Sequence, residues 1–484
     1  MRFKYFRAIS LTLVTAGFVA CGGGGGGGSG GQALAGIDRL GASTGIVTGF
    51  GSIFVNGIEF ETNDAMFTID DQPGIESDLE VGQVVTVIGT FDANGTSGTA
   101  DSVSFDDAVE GPISSIDIPN DQLVVAGQTV LVDAATSFDD NISPASLDGL
   151  SVNDFVEVSG FIDADDNIRA TRIEAKPAGS EVEVHGFAAG VTATTFMLNA
   201  LTVDYSAAML DDFPGGAITS GDFVEAKGDG FGPGGELIAT EVELETQGPD
   251  PDEIDEFEIE GFITGFVAGR PLDNLDFDVS GVPVITDSST VFEGDTALLG
   301  LNTKVEVEGT VNPAGVVVAD EVDIRTGIDR SRLAAQVDSV NPLVALGITV
   351  RVDALTRIED KSAANLEPFS VADINVGDYI EVRGDENPPG SGEMLATLLE
   401  RDDLPGAPGE GTELRGFVES VDVASFTILG VTINTTVGAC GAGGTCFAGG
   451  ITGVSDLMVG DQVSVDGMET SSTAILADEV ELEN

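Results

Sequence analysis

One eleven-residue pattern occurs six times in the chain, and this repetition limits it to an array of like units. The pattern reads apolar, two residues, Gly or Asn, a polar residue, any, apolar, any, apolar, any, Gly. Its copies occupy residues 79–89, 150–160, 218–228, 299–309, 374–384 and 457–467. The fourth position (Gly82, Asn153, Gly221, Asn302, Gly377, Gly460) is a residue that tolerates positive φ, so it predicts a turn. The Val-x-Val that follows predicts a half-buried strand with its charged residues facing out. The closing glycines, at 89, 160, 228, 309, 384 and 467, lie 68 to 83 residues apart, the length of one small domain. Each permits a bulge or sharp bend. A chain of 484 residues is also too long for one ordinary hydrophobic core.

Ten to twelve residues past each closing glycine stands Ala-x-x-apolar: Ala100, Ala170, Ala239, Ala319, Ala396 and Ala477 head the six copies. With the turn-rich stretch between, the two motifs predict a β-hairpin. Most units open upstream with a strand such as Glu110-Gly111-Pro112-Ile113, and a second hairpin follows. Several carry Thr-x-Phe/Ile-acid, as at Thr136, Thr290 and Thr356. The resulting order is three strands, a variable connection, then two more, which is that of an OB-like barrel. The expected fold is all-β: a tandem array of six small five- to six-stranded OB-like β-barrels behind a signal peptide and a Gly-rich tether. Expected boundaries are 1–20 for the signal, 21–42 for the linker, then 43–108, 109–177, 181–247, 256–327, 329–403 and 411–484 for repeats 1 to 6. Proline-bearing spacers near 177, 249 and 405 stiffen a chain. Six globules of ~11 Å radius of gyration in a row would reach on the order of 100 Å.

The N-terminus reads as an address. Arg2, Lys4 and Arg7 precede an uncharged apolar stretch over 8–20, the pattern of a secretory signal too short to span a bilayer. It ends in Phe18-Val19-Ala20-Cys21, which resembles a bacterial lipobox with Phe18 in place of the usual Leu. The resemblance implies lipid attachment at Cys21, and Gly22 after it implies the outer membrane of a Gram-negative bacterium. The repeat motifs resemble a bacterial envelope family known as domain of unknown function 5666, whose members are often lipoproteins. That resemblance covers residues 43–484, with the first and fifth units departing most at the opening strand. It implies fold and location and carries no chemistry.

Charge narrows the partners. The chain has 83 acidic and 19 basic residues. Without the three basic residues of the signal, 16 against 83 leaves −67. Nucleic acid is excluded as a partner, because its affinity comes largely from Lys and Arg. A cation, a cationic peptide, a neutral glycan or another protein stays open. The membrane is reached only through the lipid on Cys21.

No catalytic residue, metal or cofactor is expected. There is no nucleophile elbow and no phosphate loop, and His185, the only histidine, reads as a surface or edge residue. Asp163-Ala164-Asp165-Asp166-Asn167 offers oxygen ligands of the kind calcium accepts. The other units lack that spacing, and turn chemistry explains it better. Cys440 and Cys446, six apart in a glycine-rich connection, are expected to form a disulfide. The expected function is a non-enzymatic, lipid-anchored envelope protein presenting an acidic stalk or interaction surface. The alternative is an envelope module that binds a cation, glycan or cationic peptide.

Overall fold

The computed structural model describes residues 39–483 apart from 93–94, 134, 247, 251–252, 326–330, 367, 389, 405–410 and 441–442. Cys21 and its glycine tether lie outside the described residues. Among these, the regular structure is strand, interrupted by three-residue 3-10 turns.

Five of the six repeats close into a five-stranded barrel. In repeat 5 the opening strand Ser331–Val340 pairs antiparallel with Leu343–Ala345, which pairs with Ile348–Arg351. The third strand then runs parallel to the closing strand Glu393–Asp402. That strand pairs with the motif strand Tyr379–Glu386, which returns to the opening strand. The parallel third-to-closing pairing is the OB-type closure that the strand order predicts. A short sixth strand, Arg357–Asp360, extends the closing strand. Repeat 3 is the looser copy. Its closing strand is split into Leu237–Ile238 and Glu241–Leu244, and one isolated bridge, Ala189 to Met197, joins its first two strands.

The motif residues do the work their types suggest. All six turn positions have positive φ, from 64° at Asn302 to 99° at Gly221. The acid after the turn caps it: Asp154, Asp222, Asp378 and Asp461 each accept from the backbone N–H three residues earlier, at 2.7–2.8 Å. The closing glycines have a different reason. In five repeats each sits at a register shift directly opposite the motif alanine, as Gly309 does opposite Ala319. A Cβ at Gly309 would lie 2.3 Å from the Val318 carbonyl oxygen. The two strands can therefore cross closely only if one residue has no side chain and the other a small one. The carbonyl of that alanine accepts a threonine hydroxyl in four repeats, from Thr136, Thr290, Thr356 and Thr445, at 2.7–2.9 Å. This is why the Thr motif travels with the Ala motif.

Two expectations fail. The repeats do not stand in a row. The opening strand of repeat 1 (Arg39–Gly49) runs parallel to that of repeat 4 (Glu256–Phe266), Gly41 opposite Glu256. The opening strands of repeats 2 and 3 pair antiparallel, as do those of repeats 5 and 6. Apolar cores run across the 2/3 and 5/6 borders. Residues 38–484 form one compact unit. An opening strand at a barrel rim has unpaired N–H and C=O groups, and pairing them with another repeat satisfies them. Further ties cross between these pairs. Arg172 of repeat 2 donates to the Val81 carbonyl of repeat 1 at 3.0 Å and lies 3.8 Å from Glu359 of repeat 5.

The second failure follows from the first. The outward glutamates of Val-x-Val are not all solvated. Glu157 is 2% exposed and Glu225 4%, because a docked repeat covers the outer face of their strands.

The crossing at Gly309 gives a direct test. Gly309→Ala is expected to destabilise the unit by about 1–3 kcal/mol through overpacking against the Val318 carbonyl. Gly300→Ala, whose Cβ would meet nothing within 4 Å, is expected to be near neutral. Chemical denaturation of the two variants side by side checks this, and equal stability would remove the close-crossing account.

Candidate functional site

The most heavily charged buried region lies where repeats 1, 2 and 3 meet. Strand register builds it. On the outer face of the joined sheet, Glu174 stands opposite Glu157, Glu157 opposite Glu110, and Glu110 opposite Glu183. Glu183 is opposite Lys227, and Lys227 opposite Glu241. Like charges directly across a sheet repel, and this row holds five glutamates and one lysine.

Two further carboxylates face the row. Asp107 lies in the joint just before the opening strand of repeat 2 (Val109–Asp117), and Asp70 lies in a hairpin turn of repeat 1 with φ 44°. Oxygens of Asp70, Asp107 and Glu183 lie within 4.8 Å of one another, as do those of Asp107, Glu110 and Glu157. Asp107 is 2% exposed, and neither of its oxygens meets a hydrogen-bond donor among the described residues.

Two lysines flank the nest. Lys176 pairs with Glu157. Lys227 is 2.8 Å from Glu225, 2.9 Å from Asp71 and 3.2 Å from Glu183. Neither ion-pairs with Asp107 or Glu110. Burial raises these acids above their ordinary range. Glu157 is pushed up to about 8, and Glu110 and Glu183 to about 7. Asp107 is raised well above the carboxylate range, by burial first and then by Glu157, Glu183, Asp70 and Glu110.

His185 is not a surface residue, which corrects the sequence expectation. Its side chain is 11% exposed, 3.6 Å from Glu225, and stacked on Phe223 with ring centroids 6.3 Å apart. Its strand pairs on both sides, so it is not at an edge. Burial lowers its pKa, favouring neutral imidazole. His185, Glu225 and Glu245 form a separate group with ligand atoms within 4.8 Å.

The Asp163 turn behaves as turn chemistry. Asp163 Oδ1 accepts from the N–H groups of Asp165 and Asn167, and Oδ2 accepts from Arg169 at 2.8 Å. Asn302 of repeat 4 docks on the same turn, at 2.8 Å from Asp165. Cys440 and Cys446 are bonded, with Cα atoms 4.6 Å apart, and Cys446 opens a short strand on the closing strand of repeat 6.

A cavity of about 510 Å³ opens between repeats 1, 2, 4 and 5. Its cations are engaged: Arg169 with Asp163, Lys304 with Glu260, Arg325 with Glu306, and Arg357 with the Ala135 and Thr171 carbonyls. It is a polar joint between barrels.

Sequence reasoning missed Asp70, Asp107, Glu110, Glu157 and Glu183. The signal available was the glutamate at the outward position of Val-x-Val in four of six copies, Glu157, Glu225, Glu306 and Glu381. A side chain facing only water has no reason to be so uniform.

The fold defines a tandem OB-like repeat protein whose units dock through their opening strands. Six segments, 43–104, 110–174, 185–243, 260–323, 334–400 and 415–481, match the family described as Domain of unknown function (DUF5666). The chain belongs to that family, six times over. No curated protein matches the chain.

The raised acids give stability a pH dependence of known sign. Their folded-state pKa values lie above the unfolded ones, so the stability they contribute is present below about pH 4.5 and lost as pH rises through 7 to 8. In chelator, the melting temperature is expected to fall between pH 5 and pH 8.5. Glu381, which Arg383 and Arg332 hold down to about 2 against the cost of burial, stays ionised throughout that window. Glu110→Gln is expected to flatten the fall; a melting temperature that rises across the window would overturn this reading.

Proposed function

We propose that the chain is a non-enzymatic, lipid-anchored envelope protein that presents a strongly acidic multi-barrel body as an interaction surface. One observation carries the reading. Among the described residues, twelve lysines and arginines are held in ion pairs with the chain's own carboxylates, and none of the twelve side chains is more than 38% exposed. Basic charge is consumed at strand rows and repeat junctions, and outside the buried nest many of the remaining carboxylates are exposed. Such a surface attracts cationic partners over a Debye length of ~8 Å at physiological salt and repels phosphate backbones. The signal-like segment and Cys21 supply the anchoring half of the proposal, with the outer membrane as destination.

A second reading, a module that binds a cation, glycan or cationic peptide, is favoured at one place by Asp107, whose buried oxygens meet no donor among the described residues.

Metabolic labelling with an alkyne-bearing fatty acid is expected to mark the wild type and not Cys21→Ser. An unlabelled wild type removes the anchor. Oligolysine is expected to bind with an affinity that drops as salt rises, while oligoglutamate and duplex DNA stay unbound. Retention of DNA at 150 mM salt would contradict the acidic-surface half.

A further inference from the structure

We propose that the carboxylate nest between repeats 1, 2 and 3 is a calcium site, with Asp107 at its centre and Asp70, Glu110, Glu157 and Glu183 around it. This deepens the binding-module reading and rests on it, independently of the lipid anchor.

The first support is spacing. Calcium takes six to eight oxygens at about 2.3–2.6 Å, so two oxygens on the same ion lie at most about 5 Å apart. Each triad, Asp70 with Asp107 and Glu183 and Asp107 with Glu110 and Glu157, falls within 4.8 Å, and Asp107 is the member that joins the two. The second support is Asp107 itself. It is a buried side chain turned toward four carboxylates, with no donor on either oxygen among the described residues. An uncompensated buried charge is strongly destabilising, so this group requires a counter-ion or a proton.

The third support is a comparison inside the molecule. Repeats 5 and 6 dock as repeats 2 and 3 do. Aligning the two pairs on the motif strand sets Gly111, opposite Val156, on Ala335, opposite Ile380. Ala108 then stands where repeat 5 has Arg332, and Glu110 where it has Ala334. In the 5/6 pair the chain provides its own cation. Arg332 reaches Glu381 at 2.9 Å and Glu413 at 2.8 Å, and Arg383 reaches Glu381 at 2.6 Å. In the 2/3 pair the arginine is absent and a carboxylate is added. Lys176 and Lys227 answer Glu157 and Glu183, the counterparts of Glu381 and Glu413, and the added Glu110 and Asp107 are left with no ion pair among the described residues.

The donor set selects the ion. All five groups are carboxylates, a hard and flexible oxygen set. Magnesium demands near-octahedral geometry and keeps several waters, which a nest this enclosed does not favour. Because the donors come from three repeats, a bound ion would staple repeats 1, 2 and 3 together, and binding appears as stability.

The test uses the full-length chain in detergent, stripped with a chelator and held at 150 mM salt. Calcium chloride at millimolar concentration is expected to raise the melting temperature by several degrees, and calorimetry to show one saturable site. Magnesium is expected to give a clearly smaller shift. Asp107→Asn is expected to lose the calcium shift while melting, in chelator, at or above the wild type, since it removes a buried charge. That second readout separates loss of a ligand from loss of the fold. Glu110→Gln provides the same pair of measurements should Asp107→Asn not fold. Asp165→Asn, in the solvent-side turn, is expected to keep the full response. A wild type that ignores calcium, or an Asp107→Asn chain that still responds, overturns the site. An equal shift with magnesium overturns the choice of calcium. None of these results bears on Cys21 labelling, so the anchored-body reading stands or falls separately.

Discussion

The architecture depends on hydrogen bonds made by strands at the rims of the barrels. An opening strand has one side inside its own barrel and another side of unpaired backbone groups. In this chain the second side is occupied by the opening strand of another repeat: 1 with 4, 2 with 3, and 5 with 6. The parallel pairing joins residues more than 200 positions apart, as Ser43 opposite Glu258 illustrates, so neither order in sequence nor linker length decides which barrels touch. Each union carries a second consequence. It covers the outward face of the motif strand, where the sequence has placed acids.

Burial turns that decoration into an electrostatic constraint. An acid that reads as solvent-facing must find a cation, a proton or a new position once a neighbour lies over it. The junctions meet this cost differently. Between repeats 1 and 4, Glu258 accepts from Ser43 at 2.8 Å, and Lys304 lies 2.7 Å from Glu260. Between repeats 5 and 6, Arg332 bridges the facing glutamates. Between repeats 2 and 5, Glu359 is 2.9 Å from Lys361 and accepts from Ser137 at 3.0 Å. With 83 acids and 19 bases in the whole chain, the scarce basic residues go where burial would otherwise be prohibitive.

The individual barrel was legible in the sequence because its determinants are local and repeated. A positive-φ turn, a glycine opposite an alanine, and a threonine hydroxyl on that alanine's carbonyl each need specific residue types, and all recur at fixed spacing. The docking was not legible. Which rim meets which is decided by outward faces, and period-two alternation reads Glu157 and Glu225 as solvated whether or not a neighbour covers them. Asp107 was harder still. It belongs to neither repeat motif and stands in the joint between two units, with chemistry that exists only once Glu157 and Glu183 have been brought alongside it and Glu110 by two separate pairings. His185 was misread for the same reason: a lone histidine on an outward position becomes interior only when a second sheet edge arrives.

The 2/3 junction therefore differs in kind from the 5/6 junction, although the two share a register. Arg332 remains cationic at any pH a protein survives, so the glutamates it bridges keep their partner under all conditions. At the 2/3 junction the corresponding residue is Ala108, the central position is Glu110, and the nearby lysines are committed to Glu157 and to Glu183 with Glu225 and Asp71. What neutralises Asp107 must come from solution, as protons or as a metal ion. The apolar core beneath continues across that border through residues such as Val109, Val158 and Val184, all 0% exposed. The cost is thus borne by a junction that hydrophobic packing already holds closed. A chain needing only a rigid body could have repeated the arginine of repeat 5; an alanine there, with acids added on both sides of it, makes the coherence of three barrels answer to the composition of the surrounding medium.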